Sequence, residues 1–212
     1  MKTTKKGFTL LELLIVIAIL AILASAAVVV LNPAELLRRA RDSGRITNIA
    51  NIRNAINLYL TTVTTIDLDV QAGCMDTTPT SKTFTSLLTG YSGTLATTTI
   101  STSAYLATTT ATAVARGTAG YGWIPINFAL TAGGSPLSAL PLDPNNNTTG
   151  CSGSVGCFYY YLCSSNSSST YEIGANMESS AYANGGDSDV ESTDGGNSST
   201  WYEAGNDPGL DL

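Results

Sequence analysis

One carboxylate lies near the start of the longest apolar stretch of the chain, in GFTLLELLIVIAILAILASAAVVVL. Glu12 is the only charged residue between Phe8 and Leu31. A carboxylate in a hydrocarbon medium costs at least about 2.5 kcal/mol, so a residue of this kind ordinarily has a partner and a function. The sequence therefore predicts an interaction for Glu12 that a simple membrane anchor would not require.

Few other residues of the chain offer catalytic chemistry. There is no histidine, which excludes Ser-His-Asp and Cys-His catalysis and zinc sites that use histidine. The sequence has neither a G-x-x-x-x-G-K-[ST] phosphate loop nor a G-x-G-x-x-G fingerprint. We expect a protein that is not an enzyme and requires no cofactor. A glycosidase working through carboxylates alone is the enzymatic alternative, although no pair of acids can be assigned to a site.

The charges are distributed unevenly along the chain. Of the ten Lys and Arg residues, eight lie at or before Arg53, whereas seven of the sixteen acids follow Gly186. A nucleic-acid surface needs cations clustered on the folded part of a protein. We therefore expect no direct nucleic-acid partner, but a membrane-proximal base and a head facing solvent.

Four acids fall in one glycine-flanked segment, GGDSDVESTDGGNSSTW. Oxygen-rich, flexible loops of this composition suit Ca²⁺. The first three acids have EF-hand spacing, but the sixth position is Ser192 and the twelfth is Ser198, so this is no EF-hand. Calcium binding and a merely solvated loop both remain open. The candidate metal ligands are Asp187, Asp189, Glu191 and Asp194.

The four cysteines are Cys74, Cys151, Cys157 and Cys163, and no two of them form a C-x-x-C pair. An even number beyond a membrane segment predicts disulfides in an oxidising compartment. Sequence alone does not choose among the three possible pairings. We favour Cys151–Cys157, which closes a short loop, together with Cys74–Cys163. Buried free thiols are the alternative.

The apolar segment itself is long enough to cross a bilayer. Its 24 residues from Phe8 to Leu31 would span about 36 Å as a helix. By the positive-inside rule, the lysines before it predict a cytoplasmic N-terminus and export of the remaining chain. A secretory signal peptide cleaved near Ala24-Ser25-Ala26 is the alternative. The lysines are Lys2, Lys5 and Lys6.

The order of these features resembles a known signal. A basic leader, Gly7, Phe-Thr-Leu, Glu12 and unbroken apolar sequence are similar to the class III signal of type IV pilins, type II secretion pseudopilins and competence pilins. The resemblance implies cleavage between Gly7 and Phe8 by a prepilin peptidase, which also methylates Phe8. It implies further that the helix is retained, and that Glu12 pairs with the Phe8 amino group of a neighbouring subunit in a helical homo-oligomer.

The remainder of the chain predicts an α+β head. Asn32-Pro33 is a helix start that would interrupt the apolar helix. An apolar stripe follows at helical spacing and should pack on the head. The strands expected in the sheet are 158–163, 171–178 and 201–204, all antiparallel, and Tyr171, Ile173 and Ala175 should form the buried side of a half-buried strand. The stripe consists of Ile46, Ile49, Ile52, Ile56, Leu60 and Val63.

We therefore expect five segments: a cleaved leader (1–7), a transmembrane and filament-core helix (8–31), an amphipathic helix (32–63), a variable Thr/Ser-rich αβ-loop region (64–140), and the sheet with its acidic loop (141–212). Four arginines just past the membrane, at 38, 39, 41 and 45, suit lipid headgroups, acids of adjacent subunits or plain solvent. The turn LPLDP at 140–144 resembles the LP-x-DP turn of major pseudopilins.

The favoured function is a subunit of a type IV pilus-like extracellular filament, held in the cytoplasmic membrane before assembly by a pilus machinery and its inner-membrane platform. A pseudopilin of a type II secretion or competence system is the first alternative. A signal-anchored surface binding protein is the second. Adhesion, motility, DNA uptake and secretion are not distinguished.

Overall fold

A computed structural model describes residues 7–69, 82–86, 103–105, 116–146, 157–164 and 169–207. The chain divides into two compact units, Met1–Arg38 and Arg39–Leu212. In the described residues there are two α-helices and five β-strands. The first unit holds helix α1 and the start of helix α2, whereas the second holds the rest of α2 and the sheet.

Helix α1 spans Leu10–Leu31 and helix α2 spans Pro33–Thr62. Asn32 separates them in a left-handed conformation, with φ 40° and ψ 74°, which asparagine tolerates better than most residues. The Asn32 side-chain oxygen accepts a hydrogen bond from the Glu35 N–H at 3.4 Å and so caps the new helix. The predicted interruption at Asn32-Pro33 is confirmed.

The apolar stripe of α2 forms one side of the core of the second unit. Ile49, Ile52 and Ile56 are fully buried. The three other members of the stripe are partly buried against the same core, as the periodicity predicted. Hydrophobic burial of this face is what attaches α2 to the sheet.

The sheet has five strands in the order β2-β1-β3-β4-β5. Strands β1, β3, β4 and β5 pair antiparallel, while β2 lies parallel to β1 at the edge. The α+β fold class is confirmed, but β1 and β2 come from the Thr/Ser-rich region that showed only weak strand patterning. The strands are β1 Lys82–Thr85, β2 Ser103–Tyr105, β3 Tyr159–Cys163, β4 Tyr171–Ala175 and β5 Tyr202–Gly205.

One face of the sheet packs against α2. The Asn48 side-chain amide donates to the Tyr159 hydroxyl at 2.9 Å. The Tyr171 hydroxyl in turn donates to the Asn57 side-chain oxygen at 2.8 Å. These two bonds fix how α2 lies on β3 and β4 while their tyrosine rings fill the core.

The opposite face of the sheet is also covered, so the prediction of a half-buried β4 was wrong. Glu172 is only 2% exposed, and its carboxylate accepts a hydrogen bond from the Tyr160 hydroxyl at 2.5 Å. The Trp201 ring packs on Tyr160 with ring centroids 5.4 Å apart. The polar residues that alternate along β4 therefore do not face solvent. They form a buried hydrogen-bonded layer that the chain after β4 covers.

Candidate functional site on the N-terminal helix

The start of α1 is organised by the acid that the sequence singled out. Thr9 is the N-cap residue, and its side-chain oxygen accepts a hydrogen bond from the Glu12 N–H at 3.2 Å. The Glu12 carboxylate returns to accept from the Thr9 N–H and the Thr9 hydroxyl, each at 2.9 Å. This reciprocal capping box satisfies helix N–H groups that would otherwise lack a partner.

Sequence reasoning missed the role of Thr9, although Thr9-Leu10-Leu11-Glu12 spells the T-x-x-E pattern of a capping box. Within a single chain the Glu12 carboxylate already has hydrogen-bond donors, which lowers the cost of carrying the acid into an apolar medium.

The rest of α1 presents apolar side chains outward. Every described side chain from Phe8 to Leu31 is exposed. Residues Leu10–Val28 make a helical segment long and apolar enough to cross a membrane. A helix that is apolar on all sides needs lipid or other helices around it.

Gly7 and Phe8 precede the helix and lie outside regular secondary structure. The Phe8 side chain is 87% exposed. A Cβ atom built on Gly7 would meet no atom within 4 Å. The fold therefore gives no steric reason for glycine at position 7, whereas an exposed, irregular backbone is a suitable protease substrate.

A buried charge cluster in the second unit was not predicted. We call it the Arg45 cluster: Arg41, Asp42, Arg45, Asp143 and Glu178. The Arg45 side chain is 1% exposed. It donates from Nε and Nη2 to the two Asp143 carboxylate oxygens at 2.6 and 2.9 Å, and from Nη1 to Asp42 at 2.6 Å.

The other members extend the Arg45 cluster towards the surface. Glu178 accepts hydrogen bonds from Arg45 and from Arg41, the latter with Nε at 3.0 Å. Asp42 also accepts from the backbone N–H groups of Glu178 and Ser179 at 3.0 and 2.7 Å. The cluster thus fastens α2 to the LPLDP turn and to the chain that follows β4.

This placement corrects the interpretation of two of the four arginines past the apolar helix. Arg45 and Arg41 form ion pairs with acids of their own chain. The one local signal was the i,i+3 spacing of Asp42 and Arg45. The Arg38 side chain is 53% exposed, and its Nη1 atom lies 3.8 Å from Glu35 Oε2. A surface ion pair of this kind contributes little to stability.

Replacing Glu178 by glutamine should remove a pH-dependent contribution to stability. Burial acts to raise the pKa of Glu178, but hydrogen bonds from Arg41 and Arg45 outweigh it and hold that pKa below 4.5. The ionised carboxylate therefore stabilises the fold fully above about pH 4.5, and this stabilisation is lost as the pH falls through the lower folded-state pKa. We expect the difference in unfolding free energy between wild type and Glu178→Gln to shrink below that pH.

Urea unfolding of both proteins at several pH values measures this difference. The comparison is needed because burial raises the pKa of Glu191, Asp194 and Glu203. As the pH falls, these three groups stabilise the folded state, whereas the contribution of Glu178 is lost. Their contributions are the same in wild type and variant, so they cancel when the two unfolding free energies are subtracted. A difference that grows towards acidic pH would contradict the assignment.

The four acids proposed as calcium ligands do not form one group. Asp189, Glu191 and Asp194 each accept backbone hydrogen bonds, and Asp187 is exposed. In the part of the chain that the structure describes, no group of three or more His, Cys, Asp or Glu side chains is placed to hold a metal ion. Calcium binding by this loop stays a prediction that the arrangement does not favour.

Two of the four cysteines lie in the described residues. Cys157 and Cys163 are both buried and both disulfide-bonded. Cys163 Sγ lies 3.9 Å from the carbonyl oxygen of Leu68, which precedes Cys74 by six residues in the sequence. Cys74 and Cys151 lie outside the described residues, so the pairing Cys151–Cys157 with Cys74–Cys163 stays a prediction.

Comparison with known proteins identifies the N-terminal segment. Residues 2–28 match the prokaryotic N-terminal methylation motif. This is the prepilin signal of type IV pilins and pseudopilins, and the match includes Gly7, Phe8 and Glu12. No curated protein and no solved structure matches the chain.

The matched signal indicates the class of the precursor. A prepilin signal that includes an exposed apolar helix supports a type IV pilin-like or pseudopilin precursor. Both features fit anchoring in a membrane before assembly. A signal of this class is typical of structural subunits and not of enzymes.

Proposed function

We propose that the protein is the structural subunit of a type IV pilus-like filament and assembles through α1. The observation that carries the proposal is a helix, exposed along its length, whose only charge lies five residues into the chain that would remain after cleavage at Gly7–Phe8. A single chain cannot bury this helix. Side-by-side packing of copies buries it and needs no other partner.

Glu12 would change partners during this assembly. In the single chain its carboxylate accepts hydrogen bonds from Thr9. Cleavage creates an ammonium group on Phe8, next to Thr9, and a neighbouring subunit would bring its own Phe8 ammonium to the Glu12 carboxylate. Since each charge is costly alone in an apolar core, their pairing fixes the axial register of the subunits.

The proposed route places the precursor in the cytoplasmic membrane, with its N-terminus in the cytoplasm and the second unit outside. A prepilin peptidase would cleave and methylate the chain, and the pilus machinery with its inner-membrane platform would extrude it. The Thr-rich, disulfide-bearing head favours an exposed filament at the cell surface. A pseudopilin would undergo the same membrane insertion, cleavage and methylation but would form a shorter filament.

Mass spectrometry of material sheared from cells tests the processing step. We expect the mature chain to begin with N-methyl-Phe8. An intact Met1, or a chain beginning beyond Ala26, would contradict the proposal and favour a signal-anchored protein or a secreted one.

Two glycine variants separate recognition by the peptidase from folding. Gly7→Val should leave the leader attached, because it alters the residue before the cleavage site. It should not disturb the fold, since a Cβ atom at position 7 meets no atom within 4 Å. Gly44→Ala is the matched control, since a Cβ atom there also meets nothing and alanine favours the helix. Normal processing of Gly7→Val would count against a peptidase that reads Gly7.

A further inference from the structure

The long connection between β4 and β5, residues 176–201, has neither helix nor strand. We call it the β4–β5 loop. Irregular segments of this length in a compact domain need something to hold them. Resemblance to major pseudopilins implies Ca²⁺ at a comparable place, so the side chains of this loop decide whether a cation suits it.

Asp189 is the centre of the first half of the loop. Its Oδ1 accepts from the Glu191 and Ser192 N–H groups, both at 3.0 Å. Its Oδ2 accepts from the Gly185 N–H at 2.8 Å and from the Ser192 hydroxyl at 2.6 Å. Gly185, with φ +80°, takes up the left-handed turn that this closure requires.

Glu191 joins the loop to the end of β4. Its Oε1 accepts from the Met177 N–H at 3.0 Å and its Oε2 from the Asn184 N–H at 3.1 Å. The residue is 4% exposed. Its buried carboxylate therefore joins two separate points of the loop by accepting a hydrogen bond from a backbone N–H group at each.

Asp194 holds the second half of the loop against the edge strand. Its Oδ1 accepts from the Gly196 N–H at 2.9 Å and its Oδ2 from the Glu203 N–H at 2.5 Å. The Glu203 carboxylate in turn accepts a hydrogen bond from the Ser198 N–H at 2.9 Å. Because Glu203 lies in β5, these bonds also cover the free edge of the sheet.

All six carboxylate oxygens of Asp189, Glu191 and Asp194 thus accept hydrogen bonds from N–H or O–H donors. A calcium site needs six to eight oxygens aimed at one point. Here the oxygens are aimed at backbone amides in three separate places, and no group of three acids among the described residues converges on a common centre. The residues present do not fit a cation.

We infer that carboxylate–amide hydrogen bonds hold the β4–β5 loop in this protein and that its fold does not depend on calcium. The carboxylates of Asp189, Glu191 and Asp194 hold the loop in place by accepting hydrogen bonds, as a bound metal ion would by coordination. Asp189 accepts the most hydrogen bonds of the three, and these bonds lower its pKa to about 2. The inference is independent of how the protein assembles.

Calcium and chelator comparisons on the full chain in detergent test this directly. A cation at about 100 times its dissociation constant would raise Tm by about 5–10 °C in a protein of this size. We expect no change in Tm, or in the rate of proteolysis within residues 176–201, between excess Ca²⁺ and excess EDTA. A calcium-dependent rise in Tm, or rapid cleavage of the loop in EDTA, would overturn the inference.

A matched pair of variants, both measured in EDTA, completes the test. Asp189→Ala should increase the rate of proteolysis within the β4–β5 loop at least tenfold, because three backbone N–H groups lose their acceptor. Asp187→Ala removes the same charge from an exposed position two residues earlier and should leave the rate unchanged. Equal rates for the two variants would overturn the inference.

Discussion

Replacing Arg45 by alanine should destabilise the Arg39–Leu212 unit by about 3–5 kcal/mol, the largest effect of any single substitution that we predict. The guanidinium is the cation that bonds both Asp143 and Asp42, and both of these side chains are fully buried. Without it, two carboxylates remain in the interior with no cation between them. Burial of an unpaired charge costs far more than loss of a surface contact.

Denaturant unfolding of wild type and variant measures the difference in free energy. Arg38→Ala is the matched control, since it also removes an arginine of α2 but one whose side chain is 53% exposed. It should change stability by no more than about 1 kcal/mol. Should Arg45→Ala be too unstable to purify, Arg45→Lys keeps the charge, loses the two-pronged bond to Asp143 and should give an intermediate loss. Equal stability of the Arg38 and Arg45 variants would show that the cluster does not hold the fold.

Replacing Glu12 by alanine should leave cleavage at Gly7–Phe8 intact and nearly abolish filaments. The variant leaves the Phe8 ammonium of the neighbouring subunit without a counter-charge in an apolar core. A cost of about 2.5 kcal/mol at each contact weakens it by roughly 50-fold or more, and the effect repeats along the filament. Yield of sheared filament, set against the amount of processed subunit in the membrane, measures the loss.

Glu35→Ala is the control for Glu12→Ala. It removes an acid from the first turn of α2, outside the apolar run, where the exposed Arg38 lies 3.8 Å from the Glu35 carboxylate. Filaments of this variant should form at about the wild-type level. If Glu12→Ala assembles normally, or if both variants lose filaments equally, Glu12 does not act as the assembly partner.

Features encoded by neighbouring residues could be predicted from the sequence. The lone acid in the apolar run, the helix break at Asn32-Pro33 and the apolar stripe of α2 all depend on spacing within a few turns. The capping box at Thr9 is equally local, because its T-x-x-E pattern spans only four residues.

Features that depend on distant pairing could not be predicted. Arg45 meets partners 98 and 133 residues further along the chain, so nothing near it in sequence indicates burial. Glu172 alternates with apolar residues as a solvent-facing residue would, yet the chain after β4 covers it. Acid spacing in the β4–β5 loop suggested a cation, whereas the backbone turns each carboxylate towards amide donors of the loop itself.

Electron cryomicroscopy of filaments sheared from the cell surface is the sharpest test of assembly through α1, because it shows which surface the subunits share. We predict a filament core made of α1 helices packed side by side. In that core, the Glu12 carboxylate of one subunit should lie within ion-pair distance of the Phe8 amino nitrogen of another. A core built from any other element, or a Glu12 side chain that faces solvent, would contradict assembly through α1.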